Sequence, residues 1–320
     1  MAHEITSTDK VLYARGTEAP WHGLATEVDP NKTLCENAIE HGLDWGIRMD
    51  QMYRYAGDGS ELLKVDNRFA IVRSDLDVVL GAATGDYVPL SNMSVYSSLD
   101  SIVSNGLAKP DTMGSLRGGG IVWGLLKIDI PNEEVVAGDS VQRWVLYSTG
   151  NDGKRGVSIG FVDIRTVCSN TVHAAWSSEL SKLISIAHRG NVQANVDAVV
   201  KSMDIASREF VTTVEGYRKM ANTSINQSDL RAYVKTVMQL EEKDTNKRAT
   251  NLIDHVSNLA LTGIGNKGIG DTLWGAFNGL TQWMSHEAGR NADNRFASLW
   301  FGQNANMLKR AHAEAMKLAA

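Results

Sequence analysis

All five prolines of this 320-residue chain lie at or before Pro131, so nothing in the long segment that follows removes a backbone donor or breaks a helix by ring closure. The apolar pattern changes along with the prolines. Up to about Ile164 it runs mainly in short β-rich stretches, and after Asn170 it steps by three and four residues. The fold class expected from this is α+β. An antiparallel sheet built from hairpins with packed helices is expected over about residues 1–190, followed by a helical region over about residues 191–320.

The individual elements follow from local chemistry. Leu34, Ala38 and Ile39 share one face of a short helix over Thr33–His41, with Asn31 or Thr33 as its cap. Phe69–Val72 and Val78–Ala83 read as two strands of a hairpin joined by Ser74–Asp77, and Ser91 or Asn92 caps a helix through Val95, Leu99, Ile102 and Val103. Ile121–Ile130 is an apolar strand ended by Pro131. In Val141–Tyr147, Arg143, Val145 and Tyr147 fall on one side, with Gln142, Trp144 and Leu146 on the other. Asn151-Asp152-Gly153 is a hairpin turn leading into Val157–Ile164. Val192, Val196, Val199, Met203, Ala206 and Phe210 step by three and four and continue to Val214 and Tyr217. This predicts one long helix whose seam suits another helix, and through it a homo-oligomer. Further helices are expected at Gln227–Glu242, Thr245–Leu261, Asp271–Ser285 and Asn294–Lys317.

Composition narrows the function classes. The hydrophobic fraction of 43% supports a filled core, and no segment approaches the ~18 uninterrupted apolar residues of a membrane span. Met1–Thr6 lacks a basic region followed by an apolar run, and the two cysteines, Cys35 and Cys168, read as reduced thiols; the expectation is a protein of its host's cytoplasm. The net charge of −5 conceals an asymmetry: residues 1–140 carry 11 Lys and Arg against 21 Asp and Glu, and residues 141–320 carry 21 against 16. Such halves either attract each other or leave a basic face for phosphates.

Enzymatic motifs are weak, and no cofactor or metal is implied. Gly114–Gly120 lacks the Lys-Ser/Thr and the helix of a phosphate loop, so its glycines are read as a tight turn or a close backbone approach. The histidines have no metal-ligand spacing. Cys168 and His173 form the one nucleophile-and-base pair that the spacing allows, although a cysteine ending an apolar strand also serves as a small buried hydrophobe. Nucleic-acid chemistry is better supplied. Arg117, Lys127, Arg143, Lys154, Arg155 and Arg165 interleave with Trp123, Trp144, Tyr147 and Phe161 in one antiparallel block, pairing cations for phosphates with aromatic faces for bases. The candidate nucleic-acid-binding residues are therefore Arg117, Lys127, Arg143, Tyr147, Lys154, Arg155 and Arg165.

Four stretches carry a family resemblance. Gly270-Asp271-Thr272-Leu273-Trp274-Gly275-Ala276-Phe277-Asn278-Gly279 with Trp283 and His286, Trp21-His22-Gly23, the run from Gly114 to Trp123, and Ile164–Thr171 together resemble the phage- and plasmid-encoded "phage/plasmid-like" proteins, a family of unknown function. The resemblance implies a phage or conjugative-plasmid product that works on DNA. The architecture is also similar to that of phage single-strand annealing proteins, which assemble on single-stranded DNA in a basic groove. The expected function is non-catalytic single-stranded DNA binding or annealing in recombination or replication. The alternative is a host-interaction protein that antagonises a defence or replication factor through its acidic N-terminal half.

Overall fold

The computed structural model describes residues 7–14, 25–165, 184–206, 209–240, 247–289 and 303–320. Within them the chain is α+β, as the periodicity predicts. An eight-stranded sheet runs in the order β11 (Ile184–Ile186), β10 (Val157–Arg165), β9 (Asp139–Gly150), β7 (Ile121–Ile128), β6 (Ala108–Leu116), β1 (Val11–Ala14) and β2 (Thr26–Val28), with β8 (Glu133–Val136) also paired to β9. All of its ladders are antiparallel except β1 with β2. A second, smaller sheet joins β3 (Ile47–Tyr55), β4 (Leu62–Arg73) and β5 (Val78–Ala83).

Both faces of the large sheet are covered, and strand alternation assigns each side chain to a layer. Ile121, Trp123 and Leu125 of β7, with Trp144 and Leu146 of β9, face a core closed by α4 (Glu209–Asn222), α5 (Gln227–Val237), α6 (Lys247–Thr262), α7 (Leu273–His286) and α8 (Gln303–Leu318). Val122, Leu126, Val145 and Tyr147 face the opposite core, closed by α1 (Leu34–Glu40), α2 (Asn92–Ser104) and α3 (Val192–Ala206). Helix α1 begins with a capping box, in which the Thr33 hydroxyl accepts from the Glu36 N–H and the Glu36 carboxylate accepts from the Thr33 N–H.

Of the single long helix expected over residues 192–217, the structure describes helix on either side of residues 207–208, which lie outside the described residues. Val192, Val196 and Val200 of α3 pack on one face of the sheet, whereas Phe210, Val214 and Tyr217 of α4 pack on the other. The apolar seam is thus consumed inside the chain, which removes it as an argument for association between copies. Helix α5 is also shorter than expected, ending at Val237 with Met238 as its C-cap, ahead of Gln239 in the left-handed region (φ 55°). Strands β1, β2, β3 and β6 carried no readable signal. In β6, Pro110 is accommodated at a bulge, where the missing donor is tolerated.

The small sheet is pinned to the large one at two points. At the first, Arg73 donates to the Gly118 carbonyl (3.0 Å) and lies 4.4 Å over the Trp45 ring. This is the glycine-rich turn: the Gly118 and Gly119 amides, both at positive φ, donate to the Asp9 carboxylate at 2.9 and 3.1 Å. The tight turn read from these glycines thus holds a carboxylate of the chain itself. At the second point, β5 meets the β9–β10 turn backbone to backbone. A side chain at Gly81 would lie 2.2 Å from the Asp152 carbonyl oxygen, and one at Gly153 would lie 2.5 Å from that of Ala82.

The C-terminal helices are tied to the sheet by one buried polar cluster. Arg165 donates to both carboxylate oxygens of Asp139 (2.6 and 2.7 Å), and the Trp274 indole N–H donates to the same carboxylate at 2.8 Å. Replacing Asp139 by Ala leaves the Arg165 charge buried and uncompensated, and is expected to lower stability by about 3–5 kcal/mol. Trp274→Phe, which loses the hydrogen bond and part of the ring, is expected to cost less. Urea denaturation of both variants checks the order.

Candidate functional site

Of the six cations expected to hold DNA, Arg143 and Arg165 are buried, Arg117, Lys127 and Arg155 are half-buried, and Lys154 is exposed. Arg143 is 2% exposed, donates to both oxygens of Asp163 (2.8 and 2.9 Å), and lies between the Phe161 and Phe210 rings at 5.4 and 4.9 Å. Tyr147 is fully buried, and Arg165 is held by Asp139, by the Ile264 and Gly265 carbonyls and by Asn266. The wet sheet face expected around Arg143, Val145 and Tyr147 is therefore interior. Alternation along β9 separates Val145 and Tyr147 from Trp144 and Leu146, but Val141 packs with the latter pair, and helices cover both faces. Lys127 is half-buried with its ammonium 5.9 Å over the Trp144 ring, and Arg117 is half-buried in the turn at Gly118. Cys168, His173 and Trp21 lie outside the described residues. The other cysteine, Cys35, is chemically quiet: burial first, then the hydrogen-bonded Asp100, pushes its thiol up to about 12.

Lys154 is exposed and Arg155 half-buried, and the fold adds to them. The β9–β10 turn, the loop after β5 and the segment after β11 enclose a cleft of about 350 Å³ lined by Arg68, Tyr87, Lys154, Arg155, His188 and Arg189. Two of these cations have local counter-ions: Arg155 pairs with Asp152, and Arg189 with Asp86 at 2.9 Å. Arg68 and Lys154 are exposed, and no carboxylate pairs with either among the described residues. The cleft thus presents four cations against two carboxylates.

Its wall is aromatic and fully bonded. The Tyr87 ring stacks on His188 (4.7 Å between centroids, 22° between planes), and its hydroxyl donates to the Gly150 carbonyl at 3.3 Å. Because a carbonyl only accepts, His188 Nδ1 carries the proton it donates to Val88 (3.0 Å), and Nε2 accepts from the Thr149 hydroxyl (3.1 Å). This is the neutral tautomer. Burial lowers the His188 pKa below its ordinary 6.5, and outweighs the bond to Val88 and the charge of Asp152.

A family profile described as Domain of unknown function (DUF932) matches residues 79–300. The chain belongs to the DUF932 family. No curated protein and no solved structure matches it. The matched segment contains Tyr87, Lys154, Arg155, His188 and Arg189, and Arg68 precedes it. Sequence reasoning found Lys154 and Arg155 through the hairpin turn that bears them. It missed Arg68, Tyr87, His188 and Arg189, which stand far apart in sequence and meet only where three loops converge.

Chemically, the DUF932 cleft offers charge and a stacked aromatic wall. No cluster of three or more His, Cys, Asp or Glu able to hold a metal occurs among the described residues, and no described helix is long and apolar enough to cross a membrane. Because the folded state holds His188 neutral, the unfolded chain binds the extra proton first. The stability His188 contributes is complete above 6.5 and is lost as pH falls through the lowered folded value. His188→Gln is expected to flatten the fall in thermal midpoint between about pH 7.5 and pH 5. Thermal denaturation across that range reads the difference.

Proposed function

We propose that this protein binds single-stranded DNA through the cleft between the β9–β10 turn and the small sheet, as a non-catalytic component of phage or plasmid recombination or replication acting in the host cytoplasm. The observation that carries the reading is the convergence of Arg68, Lys154, Arg155 and Arg189 beside the Tyr87–His188 stack. Arg68 and Lys154 are exposed and lack a carboxylate partner among the described residues. Cations of this kind release counter-ions when they meet phosphates, and that release dominates affinity for nucleic acid.

Single-stranded DNA is favoured over a duplex by shape. A basic, aromatic-walled cleft of about 350 Å³ suits one flexible strand with unstacked bases better than a paired duplex. The resemblance of the Gly114–Trp123 and Gly270–Gly279 runs to phage/plasmid-like proteins supports the assignment to mobile-element DNA metabolism. Strand annealing would follow if two such strands were held with their base edges outward.

Fluorescence-anisotropy titration of labelled oligothymidylate tests the reading. Arg68→Glu with Lys154→Glu is expected to weaken binding about tenfold or more and to reduce the slope of log affinity against log salt by roughly 1.4, the value for two single-strand phosphate contacts. Wild-type binding that the double variant leaves unchanged would remove the cleft. Absence of wild-type binding at low salt would remove DNA altogether and turn the search to a host-protein partner.

A further inference from the structure

The distal halves of β3 and β4 form a ribbon that leaves the body of the protein. Tyr53 pairs with Lys64, Arg54 with Leu63 and Tyr55 with Leu62, so Tyr53, Tyr55, Leu62 and Lys64 share one face. That face is open: Tyr53 is 58% exposed, Tyr55 68% and Leu62 58%. The ribbon is nevertheless well built. At its base the Gln51 side-chain amide donates to the carbonyls of Met52, Val65 and Arg68 (3.0, 2.8 and 3.2 Å), filling the β4 bulge. At its tip the Ala56 amide donates to the Glu61 carbonyl (2.8 Å), with Gly59 at φ 74° and Ser60 bonded to Asp58.

We propose that the Tyr53–Tyr55 face is a base-stacking platform that extends the single-stranded DNA path from the cleft along β4, an inference that rests on the DNA-binding reading above. Three observations select this occupant. Residues two apart on a strand stand roughly 6.6–6.8 Å apart, twice the ~3.4 Å stacking repeat of bases, so the two rings are spaced to take one base between them. Strand β4 carries Lys64 on the same face, opposite Tyr53, and leads on to Arg68 of the cleft, so cations line the path from the platform to the cleft. The four side chains are also far too few for the ~800 Å² per partner of a stable protein interface, whereas stacking stabilises one base at a time. The ribbon's acids lie off this face or at its ends: Asp58 and Glu61 in the tip turn, where Ser60 engages Asp58, and Asp66 in the bulge.

The test uses the full chain with labelled oligothymidylate, and with a 5-bromouracil-substituted strand for photo-cross-linking. Tyr53→Ala with Tyr55→Ala is expected to weaken binding roughly tenfold or more while leaving the salt slope unchanged, because stacking releases no counter-ions. The thermal midpoint is expected to stay that of the wild type, since both side chains are exposed. Tyr53→Phe with Tyr55→Phe keeps the rings and is expected to keep the affinity, and cross-links should map to Tyr53 or Tyr55. Wild-type DNA binding that the alanine pair does not weaken, or that it weakens through a reduced salt slope, overturns the platform and leaves the cleft standing. No wild-type binding at low salt overturns both.

Discussion

Arg165 and Asp139 are two charges taken out of water on neighbouring strands, and the arrangement of the C-terminal helices depends on how they are satisfied. Withdrawing such ions from solvent costs several kcal/mol each, so the pair persists only where the remaining donors and acceptors are placed around it. The surroundings supply them: Trp274 from α7 donates to Asp139, and Arg165 donates in turn to the Ile264 and Gly265 carbonyls and to Asn266. Asn266, itself 1% exposed, donates to the carbonyls of Leu259, Ala260 and Gly275. One end of strands β9 and β10, the loop between α6 and α7, and both of those helices are thereby held in a single register. Apolar packing alone fixes register less sharply, since it tolerates sliding and these bonds do not.

The Gly270–Gly279 run gains its meaning from this cluster. Thr272 caps α7 by accepting from the Gly275 amide, Trp274 reaches the ion pair, and Asn278 donates back to the Trp274 carbonyl. At Gly279 a side chain would come within 2.5 Å of the Ala260 amide, so glycine there lets α7 and α6 touch backbone to backbone. The residues that are most costly to place in this chain therefore assemble a scaffold. The cleft proposed to bind DNA lies at the opposite end of β9 and β10, where their turn meets the small sheet.

The charge asymmetry resolves in the same way. Asp139 with Arg165, Glu133 with Arg218 and Asp86 with Arg189 each join an acid of the first 140 residues to a base of the remainder. Much of the excess basic charge is spent on attraction within the chain. Within the cleft, Arg68 and Lys154 have no such partner among the described residues.

Period and punctuation were legible in the sequence. The β4–β5 hairpin, the Asn151-Asp152-Gly153 turn, the cap at Ser91 and the α7 cap region follow from local rules of side-chain spacing and turn chemistry, which act over a few residues whatever the rest of the chain does. The same local rules found Lys154 and Arg155 but placed Arg143, Tyr147 and Arg165 on a surface, because a strand's alternation says that two faces differ and not which of them meets water. That was decided by helices from both ends of the chain closing over the sheet. Tertiary structure alone also broke the 192–217 seam across two faces and brought Arg68, Tyr87 and Arg189 to the hairpin. Burial and convergence depend on contacts between residues a hundred positions apart, and no periodicity within a short window carries that information.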